Sequence, residues 1–95
     1  MNYFVYILKC INGCFYTGYT NDLAKRYAQH LAGDSAKYTR SFKPTEIAQA
    51  WHIGSSKSLA MQVEAYIKGL TRIQKAKLIQ QPGDLGELFE LAKVF

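Results

Sequence analysis

The sequence predicts an α+β fold, a small three-stranded antiparallel sheet flanked by helices in the order ββαβαα(α). Three observations carry this expectation. Tyr3–Lys9 is β-branched and aromatic and leads into Asn12-Gly13, the strongest short hairpin signal. Two later segments repeat apolar residues at helical spacing: Leu23, Tyr27 and Leu31, then Leu59, Val63, Tyr66, Ile67 and Leu70. Between them, Glu46–Ile53 reads as a third strand with Ile47, Trp51 and Ile53 as its apolar members.

Each element has its own local reason. After Asn12-Gly13, Cys14–Tyr19 returns as the second strand. Thr20 or Asn21 can cap the first helix, Asp22 suits the positive end of its dipole, and Gly33 ends it. Residues 34–45 read as a polar, basic loop. Gly54-Ser55-Ser56 stops the third strand, and Ser56 or Ser58 can cap the next helix. Residues 72–80 continue as helix after a bend near Gly69, Pro82-Gly83 is a break, and Leu85–Val94 is a short terminal helix.

At 95 residues the chain holds one modest core. We expect residues 1–82 to form the domain and residues 83–95 to pack on it as a short helical tail. A hydrophobic fraction of 48% argues against disorder. No apolar run approaches the roughly 18 residues of a membrane span. Tyr3–Leu8 is too short and lacks a preceding basic stretch, so no export signal is read and a cytoplasmic location is expected. Up to Pro82 there are eleven basic and four acidic residues, a balance that suits a polyanionic partner. Cys10 and Cys14 are too few for a disulfide scaffold, and His30 and His52 are not at finger spacing, so two reduced thiols are expected and no zinc.

Chemistry-bearing residues are spread along the chain. Arg26 and His30 stand at i and i+4 on one edge of the first helix. A guanidinium there can grip a phosphate with two donors, and an imidazole can move a proton near neutral pH. Tyr6 and Tyr16 lie in the hairpin strands. A two-residue loop pairs Tyr6 with Tyr19 and puts Tyr6 and Tyr16 on opposite faces; a three-residue loop, with Gly13 as the left-handed bulge residue, pairs Tyr6 with Gly18 and puts Tyr6 and Tyr16 on one face. The second register leaves a hollow at Gly18 beside Tyr6 for a ligand, and the sequence leaves both registers open. Glu64 lies roughly 120° from the centre of its helix's apolar stripe. It can pair with Lys68 at i+4, or it can hold Mg²⁺ together with substrate phosphates and water. The run Lys37-Tyr38-Thr39-Arg40 interleaves cations with an aromatic and a hydroxyl, a composition suited to phosphate contact and base stacking.

In this order, the segments Val5-Tyr6-Ile7-Leu8, Phe15-Tyr16-Thr17-Gly18, Arg26, His30 and Glu64 resemble the GIY-YIG nuclease family. The resemblance spans residues 3–80 and is closest to small single-domain bacterial members, whose basic loop is similar to Ala36-Lys37-Tyr38-Thr39-Arg40. Phe4 stands for the first glycine of the name motif and Thr17 for the isoleucine of the second, and a late helical asparagine has no counterpart. The resemblance implies a divalent-metal-dependent endonuclease acting on phosphodiester bonds, on DNA rather than RNA, in repair or processing. It implies Tyr6, Tyr16, Arg26, His30 and Glu64 as the catalytic set. It also implies one Mg²⁺ (or Mn²⁺) ion on Glu64 and nucleic-acid contacts from Gly18, Lys37, Tyr38, Thr39 and Arg40. On this view either Tyr6 or His30 is the base, and Tyr6 serves if Arg26 and the metal lower its pKa. A non-catalytic nucleic-acid-binding domain is the alternative. So is a protein-interaction subunit, or a nuclease whose specificity comes from a protein partner.

Overall fold

The most apolar strand takes the centre of the sheet. In the computed structural model, which describes residues 1–94 of the backbone and side chains as far as Glu90, β1 (Tyr3–Cys10) lies between β2 (Phe15–Thr20) and β3 (Pro44–Gly54), antiparallel to both. α1 (Leu23–Ala32) and α2 (Lys37–Ser41) fall between β2 and β3. After β3 come α3 (Lys57–Lys68), α4 (Arg72–Gln80), a 3₁₀ turn at Pro82–Asp84 and α5 (Leu85–Val94). Side chains alternate along a strand, so β1 feeds two interiors. Val5 and Ile7 join Ala60, Val63, Ile67 and Leu78 in the main core, with Leu85 and Phe89 of α5 in the same cluster. Tyr6 and Leu8, equally buried, point to the other face. Burial on both faces explains why β1 reads as a continuous apolar run.

The hairpin adopts the three-residue register. Gly13 has φ +78°, Cys10 N–H bonds the Cys14 carbonyl at 3.0 Å, and Tyr6 pairs with Gly18. β3 is longer than Glu46–Ile53 suggested: its 11 residues run beside 8 of β1, and three register shifts absorb the difference. One of them puts Ile47 opposite Leu8 but Trp51 opposite Val5, so these two side chains serve different faces. Trp51 Nε1–H then bonds the Pro82 carbonyl at 3.0 Å, and Gln49 Nε2–H bonds the Ile79 carbonyl at 3.2 Å, tying the C-terminal helices to the sheet edge.

Three local expectations need correction. Asp22 itself caps α1, its carboxylate accepting from Lys25 N–H at 3.1 Å, because Thr20 Oγ1 is taken by the Asp22 N–H. The supposed loop of residues 34–45 contains α2. The apolar stripe of α1 does not all face inward: Leu31 is 42% exposed, and His30 is the helix's buried residue. The inner edge of α1 is polar because it closes over Tyr6. Elsewhere the local chemistry holds, with Ser56 capping α3 and Thr71 forming a capping box with Gln74 on α4.

Candidate active site

Tyr6, Tyr16, Arg26 and Glu64, spread over 59 positions of sequence numbering, meet at one pocket of about 290 Å³. β1 supplies Tyr6, β2 supplies Tyr16, the second turn of α1 supplies Arg26, and α3 supplies Glu64. Residues from both faces of β2, Gly18 and Tyr19, also line it, so it sits at the β2 edge of the sheet between α1 and α3.

Gly18 shapes this site by what it lacks. A Cβ built there overlaps the Tyr6 hydroxyl and stands 2.6 Å from Tyr6 Cζ. The hollow expected to admit a ligand is therefore filled by the phenol itself. The ring lies across the glycine and brings its hydroxyl to His30 Nε2, 2.8 Å away.

His30 does not line the pocket. It is fully buried behind Tyr6, edge-on to the Tyr6 and Tyr16 rings, and cannot touch a substrate directly. Its Nδ1 lies 2.7 Å from Thr39 Oγ1. Burial pushes its pKa below the ordinary value of 6.5, and the nearby Arg26 guanidinium adds to the shift, so the ring is neutral at pH 7. The Tyr6 hydroxyl moves the other way. Burial raises its pKa and Tyr16 adds to this; the charge of Arg26 opposes the shift without winning. Among the protein's own groups desolvation outweighs the guanidinium, so Arg26 by itself does not make Tyr6 acidic. Tyr6 keeps its proton at neutral pH.

Glu64 is partly buried and sits 3.6 Å from Lys68 Nζ, the i+4 pair anticipated from spacing. It is a hard oxygen donor facing the pocket. No group of three or more His, Cys, Asp or Glu residues suited to a metal occurs among the described residues. That donor set fits Mg²⁺, which needs only one or two carboxylates when phosphate and water complete its shell, and it fits zinc poorly. Cys10, buried, and Cys14, exposed, are free thiols.

Sequence reasoning missed Lys57, which lines the same pocket. Its signal was legible: it precedes Glu64 by seven residues, two helical turns on one face of α3. The basic segment 37–40 is placed differently from the expectation. Lys37 and Arg40 border a separate small depression beside Gly33. Tyr38 stacks on Tyr16 with centroids 6.0 Å apart, held by a 3.0 Å bond from Asn12 Nδ2. Thr39, expected to meet phosphate, is fully buried, because its hydroxyl is engaged by His30 and the Ala36 carbonyl.

Comparison with known proteins gives the same pattern. A profile of the GIY-YIG catalytic domain matches residues 2–77. The UPF0213 protein BH0048 of Halalkalibacterium halodurans is 42% identical over 87% of each chain. The UPF0213 protein YazA of Bacillus subtilis is 45% identical over 84% of this chain and 80% of its own. The solution NMR structure of BH0048 superposes with a TM-score of 0.55 over 85% of each chain. A match that spans the sheet, α1 and the Glu64 helix covers every residue of the pocket, and on it the protein belongs to the GIY-YIG nuclease domain family.

Proposed function

We propose that the chain is a divalent-metal-dependent endonuclease that hydrolyses phosphodiester bonds in DNA, with a role in DNA repair or processing. The observation that carries this reading is the convergence of Tyr6, Tyr16, Arg26 and Glu64 on one pocket. Hydrolysis needs an activated water and donors aimed at the charge developing on the phosphoryl oxygens. Arg26 supplies the second, and Lys57 supports the incoming phosphate. Glu64 would hold Mg²⁺ or Mn²⁺, which when bound screens the scissile phosphate and the leaving 3′ oxygen. Tyr6 and His30 act together as the base. The water oxygen bonds phosphorus as the P–O3′ bond breaks; the water's proton goes to the Tyr6 oxygen while the Tyr6 proton passes to His30 Nε2, giving an imidazolium, and the departing 3′ oxygen takes a proton from solvent. A neutral His30 at 2.8 Å supports that role, and it accounts for a tyrosine too weakly acidic to serve alone. Tyr16 orients the phosphate at the pocket wall. Lys37, Tyr38 and Arg40, on the α2 side of Tyr16, extend the contact surface along the strand.

Cleavage of labelled duplex, single-stranded, flap and branched DNA, with RNA alongside, tests the reading in Mg²⁺ and Mn²⁺. The wild type should cut and Glu64→Ala should not. Equal cutting by both would remove Glu64 from the metal role. Binding at low salt without cutting would leave a nucleic-acid-binding domain, and no binding would point to a protein partner.

A further inference from the structure

We infer that Thr39 is a positioning residue of the site: its buried hydroxyl fixes the Nδ1–H tautomer of His30 and so keeps Nε2 free to take the Tyr6 proton. The inference rests on the reading of His30 as the base behind Tyr6, and it assigns work to a residue outside the pocket.

The hydrogen bonds run in one consistent direction. Thr39 Oγ1–H donates to the Ala36 carbonyl at 3.2 Å. Its oxygen, 2.7 Å from His30 Nδ1, is left to accept, so Nδ1 carries the ring proton. A neutral imidazole has one N–H, which leaves Nε2 as the acceptor. The far end of the chain agrees. The Tyr6 hydroxyl lies 2.8 Å from Nε2, so with Nδ1 protonated the phenol proton has its acceptor there. Were Nε2 protonated, that proton would lose this acceptor. Ser35 Oγ, 3.5 Å from Nε2, is a second group able to donate to that nitrogen.

The arrangement is also enclosed. His30 and Thr39 are both fully buried, and Thr39 lies in α2, nine residues from His30. The order of donors is therefore Tyr6 to His30, His30 to Thr39 and Thr39 to Ala36. A proton arriving at Nε2 makes an imidazolium whose Nδ1–H keeps Thr39 and whose Nε2–H faces the Tyr6 oxygen, so the ring retains both buried partners. α2 thereby links the basic surface of Lys37 and Arg40 to the proton acceptor of the site.

The test pairs ring-nitrogen NMR of His30 with DNA cleavage in Mg²⁺, using the full chain. Wild-type His30 should show a protonated Nδ1 and an unprotonated Nε2 at neutral pH. Thr39→Val keeps the shape and removes the acceptor; it should populate the Nε2–H form and slow cleavage at least ~10-fold, the low end of what losing the partner of a metal-bound histidine costs. Thr39→Ser should retain the wild-type tautomer and most of the rate. A wild-type ring protonated on Nε2, a valine variant that keeps the Nδ1–H form, or a serine variant no better than valine would each overturn the assignment. If the wild type cuts no nucleic acid, the nuclease reading fails, and the ring spectra still decide whether Thr39 sets the tautomer.

Discussion

Gly18 lies directly across the ladder from Tyr6, and the space of its missing side chain is where the Tyr6 hydroxyl stands. The Tyr6 phenol is thus aimed by a glycine on the neighbouring strand as much as by its own backbone. Glycine's backbone freedom is not at issue here: Gly18 sits in regular strand, and among the described residues positive φ occurs at Gly13, Gly33 and Gly54.

Gly18→Ala should therefore act as a Tyr6 variant. The added methyl meets Cζ at 2.6 Å, so the phenol must turn away and lose its bond to His30 Nε2. Overpacking of this kind costs about 1–3 kcal/mol. Cleavage by Gly18→Ala should fall to the level of Tyr6→Phe, with a measurable drop in Tm. An alanine variant that keeps wild-type rate and Tm would show that Tyr6 has room the structure does not provide.

Stability should fall on the acid side because of His30. Its pKa in the fold is below the ordinary 6.5, so the unfolded chain takes up its proton first as pH drops. The stability that the neutral ring contributes is complete above pH 6.5 and is lost as pH falls from there through the lower folded value. Thermal unfolding from neutral to acid pH, compared with His30→Gln, isolates the effect. The variant should lose less Tm below pH 6.5 even though its absolute Tm is lower. Parallel curves would assign the acid loss elsewhere. The cleavage rate should show an acid limb with an apparent pKa under 6.5, since imidazolium cannot accept the Tyr6 proton.

How much of this could be read beforehand depends on the range of the interactions. β1 announced itself because burial on both faces leaves a continuous apolar run, and Arg26 and His30 because one helical turn separates them. The hairpin register was ambiguous, since Asn12-Gly13 supports two loops one residue apart and only the Gly13 bulge decides between them. α2 was missed because five residues carry no helical period, and with it went the burial of Thr39, which depends on a histidine nine positions away. Ile47 and Trp51 share a parity but not a face, because a shift in β3 intervenes. Lys57 was legible and overlooked: only its partnership with Glu64 across two turns distinguishes it from any surface lysine.

Lys57 and Arg26 should separate by kinetic signature. Arg26 lines the pocket beside Tyr6, and on the proposed mechanism it faces the developing charge, so Arg26→Ala should cost about 10²–10³ in kcat. Lys57 is an exposed ammonium at the start of α3, and its contribution is phosphate attraction. Lys57→Ala should mainly raise KM and lower the log–log salt slope of DNA binding by about one. An equal loss of kcat from both variants would place Lys57 among the groups that touch the transition state.

Thr17 stands at the position where the family motif has isoleucine. It is 2% exposed, pairs with Ile7 across the ladder, and so shares the face of β1 that packs on α3 and α4. Its hydroxyl is a buried side-chain oxygen without a hydrogen-bond partner among the described residues. An unsatisfied buried hydroxyl costs about 1–3 kcal/mol, and valine has the same outline without it. Thr17→Val should therefore stabilise the chain by about 1 kcal/mol at unchanged m-value in urea. Because Thr17 points away from Tyr6, Tyr16 and Gly18, cleavage should be unaffected. A destabilised valine variant would mean that the hydroxyl has a partner, and a variant with normal stability but slowed cleavage would mean that this motif position acts on the site through the strand.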